Sequence, residues 1–343
     1  MTRKEIMIMN AAGVYDETPQ QLYMLHASKA DAVVIKSATI LPRPGNEEPR
    51  LKFEIGPSTY RSSINSMGLP NLGIRRYVDE IVPELYNLNP NKPLVASIST
   101  APDPCKEKCE KPDEHSAVGQ YRTMIELYKK APIRNLQINL SCPNIKGKPM
   151  VGNSPETVEE VLSLMKGYGR QWGVKVAPYN NDPILFKEIA DIVLKHGPDT
   201  VVTINSVPLC MDVDIAARRK TIRPNDGYGG LGGTPALPVA LAEVNRWYRE
   251  IEKRELEYTE VVGCGGVTGL DSALKHIMAG ASHLEIGTWL LTDGPKIFAE
   301  LKRDLNQWKD DNGVTDWDDL IGVVERNPDV AEMIRYENES KKS

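Results

Sequence analysis

The sequence lacks an excess of positive charge: 42 Lys plus Arg stand against 47 Asp plus Glu, a formal net charge of −5. An acidic chain has no general attraction for phosphate backbones or anionic lipid, so nucleic-acid and membrane partners are not expected. A small acidic ligand would need a local basic pocket. Long apolar runs are also missing; the longest, such as residues 201–210, have strand length and fall far short of the ~20 residues that span a bilayer. The start, Met1-Thr2-Arg3-Lys4-Glu5, leads into too few apolar residues for the core of a signal peptide, and the expected compartment is the cytoplasm. Cysteines are few and odd in number: Cys105, Cys109, Cys142, Cys210 and Cys264 form no disulfide framework, so reduced thiols are expected. Cys105 and Cys109 make a CxxxC with His115 nearby, but no second ligand pair follows at zinc-module spacing. The surrounding segment has the Lys, Glu and Pro content of a solvated loop, and no metal is expected there.

What is present is repetition of one local pattern. Short runs rich in Val, Ile and Leu recur at 6–10, 32–37, 93–99, 135–141, 173–178, 200–206, 260–266 and 283–288. Helical segments lie between them, which reads as alternating strand and helix. Ser154-Pro155, Asp182-Pro183 and Thr234-Pro235 each place an N-cap side chain before a proline at the first helical position, predicting three helix starts. The helix opened by Asp182 should bury Ile184, Leu185, Ile189, Ile192 and Val193, with Gly197 as its stop. No GxGxxG follows the first run, so eight strands predict a closed (β/α)8 TIM barrel rather than an open sheet. Residues 41–64 and 207–233 are too long for ordinary connections and follow strand C-terminal ends, where barrel enzymes build their sites. Residues 1–343 are expected to form a single barrel domain, frayed from about 335 onward.

The strand ends collect polar residues. The first ends in Asn10-Ala11-Ala12-Gly13, the second in Lys36-Ser37, the fourth in Asn139-Leu140-Ser141-Cys142-Pro143-Asn144, the fifth at Lys175 and the sixth in Asn205-Ser206. The last two end in Gly263-Cys264-Gly265-Gly266 and Gly287-Thr288. Glycine turns after the final two barrel strands expose backbone N–H groups that can cradle a phosphate. Lys175 lies in an apolar strand, and an inward lysine needs an anionic partner, for which a bound cofactor is a candidate; Lys36 poses the same question. A free cysteine is more often a small buried hydrophobe than a catalyst. Cys142, however, follows a strand end, and the residues after it contain Gly147, two lysines and Pro149, as a lid does. With no histidine beside it, its candidate role is proton acceptor rather than half of a Cys/His pair. Cys210 and Cys264 read as structural.

The motif from Asn139 to Asn144 with Gly147-Lys148-Pro149, together with Ser63-Ile64-Asn65-Ser66-Met67-Gly68-Leu69-Pro70-Asn71, resembles the soluble class 1A dihydroorotate dehydrogenases. Supporting segments are Met9-Asn10-Ala11-Ala12-Gly13-Val14, Ile35-Lys36-Ser37, Gly229-Gly230-Leu231-Gly232-Gly233, Gly263-Cys264-Gly265-Gly266-Val267 and Ile286-Gly287-Thr288, so the resemblance runs from about residue 8 to 325. It implies an FMN enzyme of pyrimidine synthesis that oxidises (S)-dihydroorotate to orotate. Cys142 would be the base at C5, while hydride leaves C6 for the flavin N5. Lys36 would contact flavin and substrate. Asn65, Asn139, Asn144, Asn205, Ser206 and the backbone N–H groups of Met67, Gly68 and Leu69 would hold the substrate, with Asn139 also beside the cofactor. Lys175 would stabilise charge at the flavin N1 and O2 side. Gly265, Gly266, Gly287 and Thr288 would take the phosphate, and Ala12, Gly13, Ser37, Ile204, Gly232 and Gly233 would line the rest. The resemblance further implies a homodimer that reoxidises with fumarate and has no iron–sulfur partner subunit.

Several positions depart from the family pattern. The N-terminal hairpin over the barrel floor is expected to be shortened or missing, Pro208-Leu209-Cys210-Met211 replaces a glycine-containing turn, and residues 101–115 look inserted. Lys146 stands where a proline is usual, and Ala177 precedes Pro178 where the family has a second proline. By the resemblance Pro208 and Lys146 would sit beside the substrate, so they would bear on substrate and acceptor more than on the flavin. The alternatives are a flavin-dependent dihydropyrimidine oxidoreductase for an uncharged ring, an FMN-binding barrel without turnover, and a phosphosugar barrel without flavin.

Overall fold

The computed structural model describes residues 5–54, 60–101, 116–141, 150–179 and 181–327. Among them fourteen strands, β1 to β14 in chain order, fall into three sheets. Eight form the predicted parallel barrel: β1 (Met7–Asn10), β2 (Val33–Val34), β5 (Leu94–Ile98), β6 (Asn135–Asn139), β7 (Gln171–Lys175), β8 (Thr200–Thr203), β13 (Glu260–Cys264) and β14 (His283–Ile286). Their order around the sheet is β1-β14-β13-β8-β7-β6-β5-β2. Seven of the eight apolar runs contain one of these strands, and the run 173–178 overlaps β7, which starts two residues earlier and ends at Lys175. The match follows from parallel strands being covered on both faces, which makes them near-continuous hydrophobic runs.

The ring closes between β1 and β2 through side chains. The Asn10 amide donates to Val34 O at 2.7 Å and accepts from Val34 N at 3.0 Å, while Asp31 Oδ2 accepts from Ile8 N at 2.7 Å. One fully buried asparagine thus stands in for a strand ladder, satisfying backbone groups that would otherwise be orphaned. Alternation then sorts each strand's residues. Val174 and Val176 enter the core between sheet and helices, so Lys175 points into the barrel. On the outer layer the helix Leu237–Lys253 buries Ala240, Val244, Trp247 and Ile251 on one stripe. A large apolar side chain buried there contributes about 1.5–3 kcal/mol.

Ser154 and Asp182 cap their helices as expected, accepting from Thr157 N at 3.3 Å and Leu185 N at 2.9 Å. Gly197 follows the helix Pro183–Lys195 with φ 63, the left-handed stop its sequence position suggests. Two expectations need correction. Thr234 is not an N-cap: its N–H donates to Arg61 O, and residues Thr234–Ala236 form a 3-10 turn before the helix Leu237–Lys253 begins. Ile184 is 73% exposed, and the buried stripe of its helix is Phe186, Ile189, Ala190, Val193 and Leu194. Five positions separate Ile184 from Ile189, about 140° apart on a 3.6-residue helix, so both cannot face the sheet.

Each of the two long insertions contributes strands at the barrel mouth. They pair across the barrel mouth as an antiparallel sheet in the order β3 (Leu51–Phe53), β4 (Ser62–Asn65), β12 (Gly229–Gly233), β9 (Val207–Cys210). Pro208 lies in β9, and β10 (Val213–Asp214) and β11 (Arg219–Lys220) add a short hairpin. In β12 a Cβ at Gly233, where φ is 79, would lie 1.9 Å from Arg61 O, so no other residue fits that close approach. Among the described residues no helix is long and apolar enough to cross a membrane. Cys105, Cys109, His115 and the tail from 335 lie outside the described residues.

Candidate active site

The C-terminal ends of the barrel strands and the mouth sheet enclose a cavity of about 970 Å³, its open mouth included. Its wall brings together Lys36, Asn65, Met67, Leu69, Asn139, Asn205 and Ser206 with Ala12, Gly13, Ser37, Lys175, Ile204, Gly232, Gly233, Gly265, Gly266, Gly287 and Thr288. Gly68 does not line it; at φ 72 it packs against Asn46 and its carbonyl accepts from Arg43 Nε at 3.3 Å. Cys142, Asn144 and Lys146 lie outside the described residues.

The anionic partners that the two inward lysines need are carboxylates of the protein itself. Lys36 Nζ is 3.3 Å from Asp16 Oδ1 and also donates to Gly13 O. Asp16 is fully buried, and that burial pushes its carboxyl up to about 6, although the Lys36 charge and the Gly13 N–H pull the other way. Lys175 Nζ is 2.9 Å from Glu285 Oε2, and Glu285 Oε1 accepts from Gln137 Nε2 at 2.6 Å. Burial works to lower the Lys175 pKa, but the neighbouring Cys264 and Glu285 outweigh it and hold the ammonium above its ordinary value. Cys264 Sγ is only 3.8 Å from Lys175 Nζ, yet burial pushes its thiol up to about 11, so Glu285 is the charge partner. Two charges buried in a barrel interior persist only when paired and hydrogen-bonded, which is why each lysine brings its own carboxylate.

The asparagines do two kinds of work. Asn139 Nδ2 donates to Ser37 Oγ at 3.0 Å, its Oδ1 accepts from Ser141, and its carbonyl accepts from Tyr121 Oη at 2.7 Å. Asn205 Nδ2 donates to Ser141 O at 2.8 Å while its Oδ1 accepts from Ser206 N. These contacts fix the strand ends. Asn65 donates only to Gly230 O across the mouth sheet, and among the described residues its Oδ1 has no partner, leaving an acceptor for a ligand.

The glycine turns have the form a phosphate requires. Among the described residues, the backbone N–H groups of Gly265, Gly266, Gly287 and Thr288 have no acceptor. Gly266 has φ 79, and a Cβ there would lie 2.6 Å from Leu237 Cβ. His276, on the helix Leu270–Ala279, supports the first turn from behind: its Nε2 lies 2.9 Å from Gly265 O. Facing a carbonyl, Nε2 carries the proton. The other nitrogen packs where Gly263 has no side chain; a Cβ there would lie 2.6 Å from Nδ1. Ser63 Oγ reaches Thr288 Oγ1 at 2.9 Å and ties the mouth sheet to the rim of β14.

Sequence reasoning missed Asp16, Ser63, Glu285 and His276, and it read Cys264 as merely structural although it lines the cavity. One signal was available. Glu285 stands between Leu284 and Ile286, so period-two alternation already turns it inward. Nothing in the local sequence reveals the burial of Asp16.

Comparison with known proteins gives the family of the chain. The family model described as dihydroorotate dehydrogenase matches residues 5–308. A Trypanosoma brucei brucei protein named dihydroorotate dehydrogenase (fumarate) is 36% identical, over 92% of this chain and 94% of the relative. One of the same name from Trypanosoma cruzi is 38% identical over 87% of each. The putative dihydroorotate dehydrogenase A (fumarate) of Streptococcus uberis is 33% identical over 92% and 94%. The crystal structure of DHODH from Eimeria tenella in complex with ferulenol superposes with a TM-score of 0.70, covering 93% of this chain and 85% of that one, at 19% identity, which speaks for the fold alone. With the family model matched over most of its length, the chain belongs to the dihydroorotate dehydrogenase family.

Proposed function

We propose that the protein oxidises (S)-dihydroorotate to orotate, with FMN as its prosthetic group and fumarate as the oxidant that restores it. The observation that carries the reading is one cavity whose wall holds both two glycine turns with unpartnered N–H groups and a set of lysine and amide side chains. The turns suit a phosphate, and the amides suit the N–H and C=O edges of a pyrimidine. The fumarate in the names of the trypanosome and streptococcal relatives supports the choice of acceptor.

Gly265, Gly266, Gly287 and Thr288 would hold the FMN phosphate. Ala12, Gly13, Ser37, Ile204, Gly232 and Gly233 would surround the rest, with Lys175 toward the N1 and O2 edge. When bound, FMN supplies the hydride acceptor. Lys36, Asn65, Asn139, Asn144, Asn205 and Ser206 would orient the substrate, together with the Met67 to Leu69 turn. Cys142 would take up the C5 proton; an ordinary thiol, pKa about 8.5, is a far better acceptor than a hydroxyl. The mouth sheet would limit water at the reacting carbons. The same reading makes the protein a cytoplasmic homodimer with no iron–sulfur subunit, one barrel domain carrying both flavin and substrate sites.

The test is spectroscopic. The purified protein should be yellow, bleach anaerobically on adding dihydroorotate, and regain colour with fumarate; a flavin that dihydroorotate does not bleach refutes the reading. Cys142→Ser should slow bleaching at neutral pH by at least about tenfold without loss of flavin. Sedimentation velocity at micromolar concentration should give a dimer.

A further inference from the structure

The cation assigned above to the flavin edge is answered by a carboxylate of the protein itself. Lys175 and Glu285 are 2% and 1% exposed, lie 2.9 Å apart, and both face the cavity. Gln137 holds the second oxygen of Glu285 at 2.6 Å, so the carboxylate is fixed rather than mobile. Glu285 is also two residues from Gly287, so it is anchored to the same strand end as the phosphate turn. A lone ammonium beside the N1 and O2 edge favours reduced flavin, which carries extra negative charge. An ion pair there presents only a dipole, and in a low-dielectric interior the difference is large.

We propose that Glu285 is a positioning residue that acts through Lys175, cancelling its field and lowering the reduction potential of the bound flavin. This rests on the flavin reading above. The physical consequence is a division of labour: Lys175 still donates hydrogen bonds to a cofactor edge, while the net charge under that edge stays near zero. Electrons taken from the substrate are then held less tightly and pass on to an acceptor more readily. A purely structural Glu285, present only to satisfy a buried lysine, predicts lower stability on removal and an unchanged potential.

The experiment measures the midpoint potential of the bound flavin by dye equilibration in wild type, Glu285→Gln, Glu285→Met and Glu285→Asp. The neutral variants should shift the two-electron equilibrium toward reduced flavin by at least about tenfold, about 30 mV, and the Asp variant should stay within about threefold of wild type. Sulfite, which adds to flavin as an anion and senses the same field, should bind the neutral variants at least about tenfold more tightly. Flavin retained with potential and sulfite affinity unmoved overturns the proposal. Should the single neutral variants lose flavin, Lys175→Met/Glu285→Met decides, since well-packed apolar pairs replace buried ion pairs tolerably. Its potential should stay within about threefold of wild type, and a tenfold fall overturns the proposal. A wild-type protein without flavin is a separate result and overturns the underlying reading.

Discussion

His276 makes the stability of the phosphate turn depend on pH in a direction that can be worked out. The ring is fully buried, and that burial pulls its pKa down from 6.5 to about 4 despite the hydrogen bond to Gly265 O. In the unfolded chain the imidazole binds a proton as pH falls through 6.5; in the folded chain it resists until about 4. Between those values the unfolded state holds more protons, so stability falls as the solution is acidified. From about pH 7.5 to about pH 5 this one group removes about 2 kcal/mol. His276→Gln keeps an amide donor for Gly265 O but cannot titrate. Urea unfolding of both proteins at the two pH values gives four midpoints, and the wild-type minus variant difference should shrink or reverse by about 2 kcal/mol on acidification. Taking the difference cancels every other titrating group, Asp16 included. A difference that is equal at both pH values would show that His276 is protonated in the fold or reached by water, and the account of the turn would fail.

Asp16 predicts the opposite slope. Its folded value of about 6 lies above the ordinary 3.8, so protons stabilise the fold in that window and the group's contribution is lost as pH rises. Asp16→Asn should therefore gain about 1.4 kcal/mol relative to wild type between about pH 5 and about pH 7.5, read from the same urea midpoints. Asn10→Leu leaves Val34 N and O without partners at the barrel seam, and a thermal melt should report a loss of about 2–5 kcal/mol; an unchanged melt would mean that water replaces the amide. Gly266→Ala forces a side chain against Leu237 at a positive φ, so fluorescence titration should show FMN binding at least about tenfold weaker.

The barrel was legible because its strands are buried on both faces, and burial writes itself into the sequence as Val, Ile and Leu. The mouth sheet was not, since its central strand Gly229–Gly233 is nearly all glycine and carries no strand signal at all. Glycine is there because Arg61 and Ser206 approach too closely for a Cβ, a fact about distant residues. Lys36 and Lys175 stood out as charges in apolar runs. Their partners were harder to see: Asp16 sits in a polar loop that looks solvated, and Glu285 is marked only by its place between Leu284 and Ile286, which turns it inward. The misread helix face at Ile184 has a simpler cause, a stripe counted by apolar character instead of by angle.

Asn65 and Gly230 are hydrogen-bonded neighbours although 165 positions separate them in the chain. As the protein leaves the ribosome, β2 and β5 to β8 can associate with partners already made and β3 can pair with β4, but β1 must wait for β14 and the second edge of β4 for β12. Half of the cavity roof is thus synthesised early and remains an exposed strand edge until late. The ligand site is complete only once β12, β13 and β14 have all been made. A chain stalled before Gly229 is consequently an unfinished barrel with a free edge, more apt to aggregate than to work slowly.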